Sequence, residues 1–178
     1  MSHRPRRRFR RPPYRALIVA ALLIALAVAC YFAGPLEPSP ANLPSEGLYH
    51  VVRVVDGDTL IVEPQLTVRL IGVNTPETVK PEHPVEPWGP EASEFAREFL
   101  AGGTVELKFD RERVDQYGRF LAYVWVRGRM LNEELVRAGL GRYEPQYHYS
   151  EAIKRRLREA QRQAQREGLG IWSRQPAP

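Results

Sequence analysis

Three β-branched runs, a helical segment, two further runs and two more helical segments follow one another between residues 48 and 173. That order predicts an α+β domain, a small antiparallel barrel, closed or nearly so, with about three helices packed on it. Three observations carry the reading. Apolar and polar residues alternate with period two in the runs, Asp56-Gly57 separates the first two of them, and GPEASEFAREFLAGG repeats its apolar residues with helical spacing.

The first element, Tyr49 to Val55, and the second, Thr59 to Glu63, flank Asp56-Gly57-Asp58, a strong hairpin signal because both turn residue types tolerate positive φ. Asp58 then stands where the second strand starts. Leu66 to Val73 reads as a third strand with Val68, Leu70 and Gly72 on one face and Arg69, Ile71 and Val73 on the other. A guanidinium among those apolar neighbours either snorkels to water or meets a carboxylate or phosphate. Pro76 ends the strand, and residues 75–87 read as a loop. Pro90 opens a helix whose inner face is Ala92, Phe95, Ala96, Phe99 and Leu100, stopped by Gly102-Gly103. Val105, Leu107 and Phe109 alternate with polar residues, and Phe120 to Val126 forms a fifth strand, paired with the fourth across RERVDQYGR. Asn132 reads as the cap of a helix ending at Gly139, and Ser150 as the cap of a longer one running through Ala164 to near Gly168. Five strands and three helices in this order suit an OB barrel.

Outside that domain the chain has three further parts. Residues 1–15 hold seven of its 26 basic residues and no acid, which leaves 19 bases against 21 acids, a net of −2, for everything that follows. The body is therefore not a basic, polyanion-binding surface as a whole. Residues 16–33, ALIVAALLIALAVACYFA, carry no charge over 18 positions and predict a transmembrane helix, with the arginine-rich tail in the cytoplasm, Tyr14 and Tyr31 near the interfaces and the domain outside the cytoplasm. Cleavage near Ala29/Cys30, which makes the protein secreted or a lipoprotein, stands as the alternative, and Arg6-Arg7-Arg8-Phe9 has the form of a twin-arginine signal. Residues 34–47, with four prolines, read as an extended spacer, and 174–178 as a polar tail. Cys30 is the only cysteine, so neither a disulfide framework nor a thiolate metal site is available.

Asp56, Asp58, Arg69, Asn74 and Glu77 gather within about two dozen positions, more chemistry than a sheet needs. DGDTL, VRLIGVNTPET, EPWGPEAS, DQYGRFLAYVWV and LNEELVRAGL, followed by GIWS, are similar in order and spacing to the staphylococcal nuclease (thermonuclease) family over residues 48–173. The resemblance implies an OB-fold phosphodiesterase that cleaves DNA and RNA with Ca²⁺, leaves 3′-phosphate ends and acts on single-stranded or unpaired regions with little base specificity. It matches Asp58, the residue at 74 and the main-chain oxygen of Thr75 to metal ligands, Glu77 to a general base, Arg69 and Arg119 to phosphate clamps, and Tyr117 and Tyr147 to the nucleotide pocket. The chemistry agrees, for hydrolysing a phosphodiester takes an activated water, hard oxygen ligands for a cation, and guanidinium forks on the phosphate.

Plainer readings accompany each residue. Asp56 and Asp58 also suit a hairpin turn, Arg69 a snorkelling edge position, Arg119 a hairpin charge, Glu77 a loop acid, and Tyr117 and Tyr147 half-buried core rings. Trp88, Trp125 and Trp172 read as core, the basic face of the last helix as solvated, and the four histidines have no metal-ligand spacing. Asn74 departs from the family's aspartate, which removes one negative charge from the cation site and predicts weaker Ca²⁺ binding. The rival to a membrane-tethered nuclease is a catalytically weak or inactive module of the same fold that binds nucleic acid or protein. No specific protein partner follows from the sequence.

Overall fold

The computed structural model describes residues 18–20, 22–25, 43–78 and 84–173. The chain divides into two units, Met1–Leu43 and Pro44–Pro178. In the first, residues 18–20 and 22–25 are helical and exposed, and the rest of the predicted 16–33 span lies outside the described residues. Among the described residues no helix is long and apolar enough to cross a membrane. The predicted tails at 1–15 and 174–178 also lie outside the description.

Among its described residues the second unit has eight strands, β1 (Gly47–Asp56), β2 (Thr59–Val62), β3 (Leu66–Leu70), β4 (Val73–Asn74), β5 (Thr104–Lys108), β6 (Phe120–Val126), β7 (Arg129–Met130) and β8 (Arg142–Tyr143). Its helices are α1 (Gly89–Phe99), α2 (Leu131–Arg137) and α3 (Glu151–Glu167), followed by a 3-10 turn at Gly170–Trp172. The first hairpin and the β5–β6 pair form as their sequences predict. The barrel closes as expected, but its closing pair is parallel and not antiparallel. The order β3-β2-β1-β5-β6-β7 is joined into a barrel by β3 lying parallel to β6, with Val68, Arg69 and Leu70 beside Phe120, Leu121 and Ala122. Closing the sheet removes the edges that β3 and β6 would otherwise expose.

The third predicted strand is broken. Gly72 takes φ +79 inside a turn, and Val73–Asn74 leaves the barrel to pair with Arg142–Tyr143 of β8. A Cβ at Gly72 would lie 2.7 Å from the Tyr149 hydroxyl oxygen, so both space and backbone favour glycine there. At Gly57 only space matters. Its φ is not in the left-handed region, but a Cβ would come within 2.8 Å of the Ala92 side chain, and this close approach brings α1 against the hairpin turn.

The barrel interior is filled by Leu60, Val62, Val68, Leu70, Leu107 and Leu121, all essentially inaccessible, and α1, α2 and α3 close it through Ala92, Ala96, Leu131, Leu135 and Leu157. Asn132 is not a helix cap. Met130 occupies that position, while the fully buried Asn132 side chain accepts from the Val124 amide at 3.0 Å and donates to the carbonyls of Ile71 and Ala122. It thereby satisfies backbone groups where β3 ends beside β6. Ser150 does precede α3, and Gly168 ends it with φ +66, but the Ser150 side chain makes no capping bond. Trp88, Trp125 and Trp172 are half-buried at the margins of the core instead of inside it. Residues 44–46 belong to the folded unit, for Glu46 accepts the Phe109 amide and the Ser45 carbonyl accepts the Tyr49 hydroxyl.

Candidate active site

The β2–β3 register places Thr59 opposite Arg69, so Asp58, one residue before β2, meets the Arg69 side chain across the pair. The chain then turns at Ile71-Gly72 and returns through β4, which brings Thr75 back to Asp58. Asp58 Oδ2 accepts from the Thr75 amide at 2.7 Å, from the Thr75 hydroxyl at 3.0 Å and from Arg69 Nη1 at 2.8 Å, while Oδ1 accepts from the Thr59 hydroxyl at 3.1 Å. Arg69, only 5% exposed, resolves the choice left by its position in the sequence: it meets a carboxylate. Its Nη2 donates to Asn74 Oδ1 at 3.0 Å and lies 4.0 Å from Glu144 Oε2. A buried guanidinium needs such company, because an uncompensated charge in a dry interior is strongly destabilising.

These groups open onto a cleft of about 500 Å³ lined by Asp56, Asp58, Arg69, Asn74, Thr75, Glu77, Tyr117 and Arg119, with Val55, Thr59 and Pro76 completing the wall. Seven of the eight residues singled out from the sequence therefore share one cavity. The eighth, Tyr147, is not among the lining residues. It is half-buried against the core, and burial raises its phenol pKa, with Arg69 and Arg119 acting in the opposite direction. Tyr117 is 75% exposed, which rules out the core-ring reading for it.

Two acids missing from the predicted set shape the cleft. The carboxylate of Asp115 accepts the backbone amides of Tyr117 and Arg119 at 2.9 and 3.0 Å and the Arg119 Nε at 2.7 Å. It thus ties the turn before β6 to the guanidinium that the turn presents, and the Arg119 group lies 5.4 Å from the Tyr117 ring centroid. The Asp-x-x-Gly pattern of DQYG signals the turn, though not the ion pair. Glu144 carries no local signal, because only the β4–β8 pairing brings it to Arg69.

Glu77 sits at the cleft's rim in a backbone clamp, its amide donating to Glu86 Oε2 and its carbonyl accepting the Glu86 amide. Asp56 accepts the Asp58 amide at 3.2 Å, and its pKa rises from 3.8 to about 7, first through burial and then through the adjacent Asp58 charge. Two crowded carboxyls make a location where a cation is electrostatically favoured. The donors available to it are hard oxygens, namely the Asp58 carboxylate, the Asn74 amide oxygen and the Thr75 carbonyl, and that set suits Ca²⁺ with water completing its shell. Among the described residues no group of three or more His, Cys, Asp or Glu side chains forms a ready cage.

Comparison with known proteins agrees with this geometry. Residues 67–174 match the family model described as "Staphylococcal nuclease homologue". The chain is 43% identical to the thermonuclease of Staphylococcus hyicus over 163 residues, covering 88% of this chain and 94% of that one. It is 42% identical to the thermonuclease of Staphylococcus intermedius over 166 residues, 89% and 96% of the two chains. It is also 40% identical to Endonuclease YncB of Bacillus subtilis (strain 168) over 130 residues, 68% of this chain and 60% of the other.

Proposed function

The chain belongs to the staphylococcal nuclease family, and from that premise we propose that it is a Ca²⁺-dependent nuclease that cleaves DNA and RNA with little base specificity, leaves 3′-phosphate ends and is held at a membrane by residues 16–33. The observation that carries the reading is the single cleft lined by Asp58, Arg69, Asn74, Thr75, Glu77, Tyr117 and Arg119.

In this reading Asp58, Asn74 Oδ1 and the Thr75 carbonyl would hold the cation, which would supply Lewis-acid polarisation of the phosphate. Arg69 and Arg119 bind the non-bridging phosphoryl oxygens. Their planar donor forks match that geometry and stabilise charge as it grows in the transition state. The Glu77 carboxylate takes a proton from the attacking water, whose oxygen bonds to phosphorus as the bond to the 5′-oxygen breaks. The departing 5′-oxygen takes up a proton from solvent water and the phosphate stays on the 3′ side. Tyr117, exposed at the mouth, offers its ring to an unstacked base, which favours single-stranded or unpaired substrate. Tyr147, within the influence of the Arg69 and Arg119 charges although it does not line the cleft, contacts the nucleotide once it is bound.

Support for the anchor is the uncharged run of 18 residues following seven arginines, together with the helical, exposed residues 18–20 and 22–25. In this arrangement the nuclease acts outside the cytoplasm. Retention in the membrane fraction after a high-pH wash tests it, and release into the soluble fraction favours the cleaved form.

The deciding experiment incubates the full chain and Glu77→Gln with plasmid and single-stranded DNA in Ca²⁺ or chelator. Cleavage is expected only for the unsubstituted chain in Ca²⁺, with the variant still binding nucleotide. Binding without cleavage by the unsubstituted chain would support the binding-module reading instead.

A further inference from the structure

Arg69 is buried and permanently charged, so a counter-charge must accompany it through every state of the cleft. Two carboxylates are within reach among the described residues: Asp58 at 2.8 Å from Nη1, and Glu144 at 4.0 Å from Nη2. Asp58 cannot serve unaided. Its Oδ2 already receives three donors, two from Thr75 and one from Arg69. A cation drawn to this carboxylate weakens the hold of its donors, and Arg69, the one that carries charge, is the one that cation repels.

Glu144 is built to receive it. Its amide donates to the carbonyl of Gly72 at 2.9 Å, and its own carbonyl accepts the Tyr149 hydroxyl at 2.7 Å, so the backbone is pinned on both sides just beyond β8. Gly72 contributes twice, through that carbonyl and through the missing Cβ that lets the Tyr149 hydroxyl approach. The Glu144 side chain is only 23% exposed and faces the same guanidinium nitrogen that donates to Asn74. Asn74 is neutral and offers no charge in exchange, whereas Glu144 does. A shift of about 1 Å closes the gap to a charge-assisted hydrogen bond.

We infer that Glu144 is a positioning residue, the carboxylate to which Arg69 turns when Asp58 engages the cation, so that the guanidinium stays compensated and aimed at the phosphate. This rests on the reading in which Asp58 is a Ca²⁺ ligand and Arg69 a phosphate clamp.

The test is calorimetric titration of the full chain with Ca²⁺ alone, comparing Glu144→Gln and Glu144→Asp with the unsubstituted chain, each also in an Arg69→Gln background. Glu144→Gln is expected to weaken Ca²⁺ binding about tenfold, in the range typical of groups that orient metal ligands. Glu144→Asp restores part of the loss, and both effects vanish once Arg69 is removed. Affinity of Glu144→Gln within twofold of the unsubstituted chain overturns the inference. An equal loss with and without Arg69 also overturns it, because Glu144 would then act on the cation directly. Should Glu144→Gln fail to fold, the same comparison is made with Glu144→Asp. Absence of Ca²⁺ binding by the unsubstituted chain overturns the site reading and this inference together, whereas normal binding that is indifferent to Glu144 overturns this inference alone.

Discussion

The substitution Asp56→Asn should stabilise the protein, and the gain should grow with pH. In the folded chain the Asp56 pKa is lifted from 3.8 to about 7, chiefly by burial and next by the Asp58 charge. Between those two values the unfolded chain has released the proton while the folded chain keeps it, so raising the pH favours unfolding. Stability that is fully present below pH 3.8 is therefore lost as pH rises toward 7. Each pH unit in that window costs at most about 1.4 kcal/mol, and because Asp56 keeps some contact with water the whole shift amounts to on the order of a few kcal/mol once it ionises in both states. An asparagine side chain has no proton to lose, and its oxygen can still accept the Asp58 amide that now donates to Asp56 Oδ1 at 3.2 Å. Urea unfolding followed by tryptophan fluorescence reads the right unit, since Trp88, Trp125 and Trp172 all lie in it. The two stability curves should nearly coincide near pH 4 and separate steadily to pH 7, with the variant above. Ca²⁺ should narrow the separation at pH 8, because a bound cation relieves the same repulsion. Parallel curves from pH 4 to 8 would refute the argument that burial and the Asp58 charge keep the proton on Asp56.

The other expectations concern single groups. Asn74→Asp adds a charged ligand and should lower the Ca²⁺ concentration needed for half-maximal cleavage by about tenfold; an unchanged requirement removes that side chain from the ligand set. Asp115→Ala cuts the tie that aims Arg119, and kcat/KM should fall about tenfold to a hundredfold in steady-state cleavage assays while the circular dichroism spectrum holds. Asn132→Ala abandons three buried hydrogen bonds and leaves a small void, so urea unfolding should show a loss of about 3–4 kcal/mol.

Much of the fold is legible in the sequence because its signals are local. The first hairpin, the β5–β6 pair and α1 all follow from patterns within a dozen or so residues, and they form as expected. Residues 66–73 read as one strand because no proline or turn pair interrupts them before Pro76, whereas the break comes from Gly72 and from a partner strand about seventy residues away. Asn132 resembles a cap because Glu133 and Glu134 follow it, and its actual task needs the ends of β3 and β6 to be adjacent. For the site, Asp58, Arg69, Asn74, Thr75 and Glu77 are legible since one short stretch carries them all.

The sequence by itself determined the chemical inventory of the cleft, the order of the elements and the uneven placement of charge along the chain, since residue type and period are properties of neighbours in sequence. Only the tertiary structure decided that β3 closes on β6 in parallel, that Asp58 and not water meets Arg69, and that Glu144 stands behind the same guanidinium. Those contacts join residues whose separation along the chain gives no period or spacing to read. They exist because a closed barrel must pair its last edges, and because a buried charge must find its opposite wherever the fold presents one.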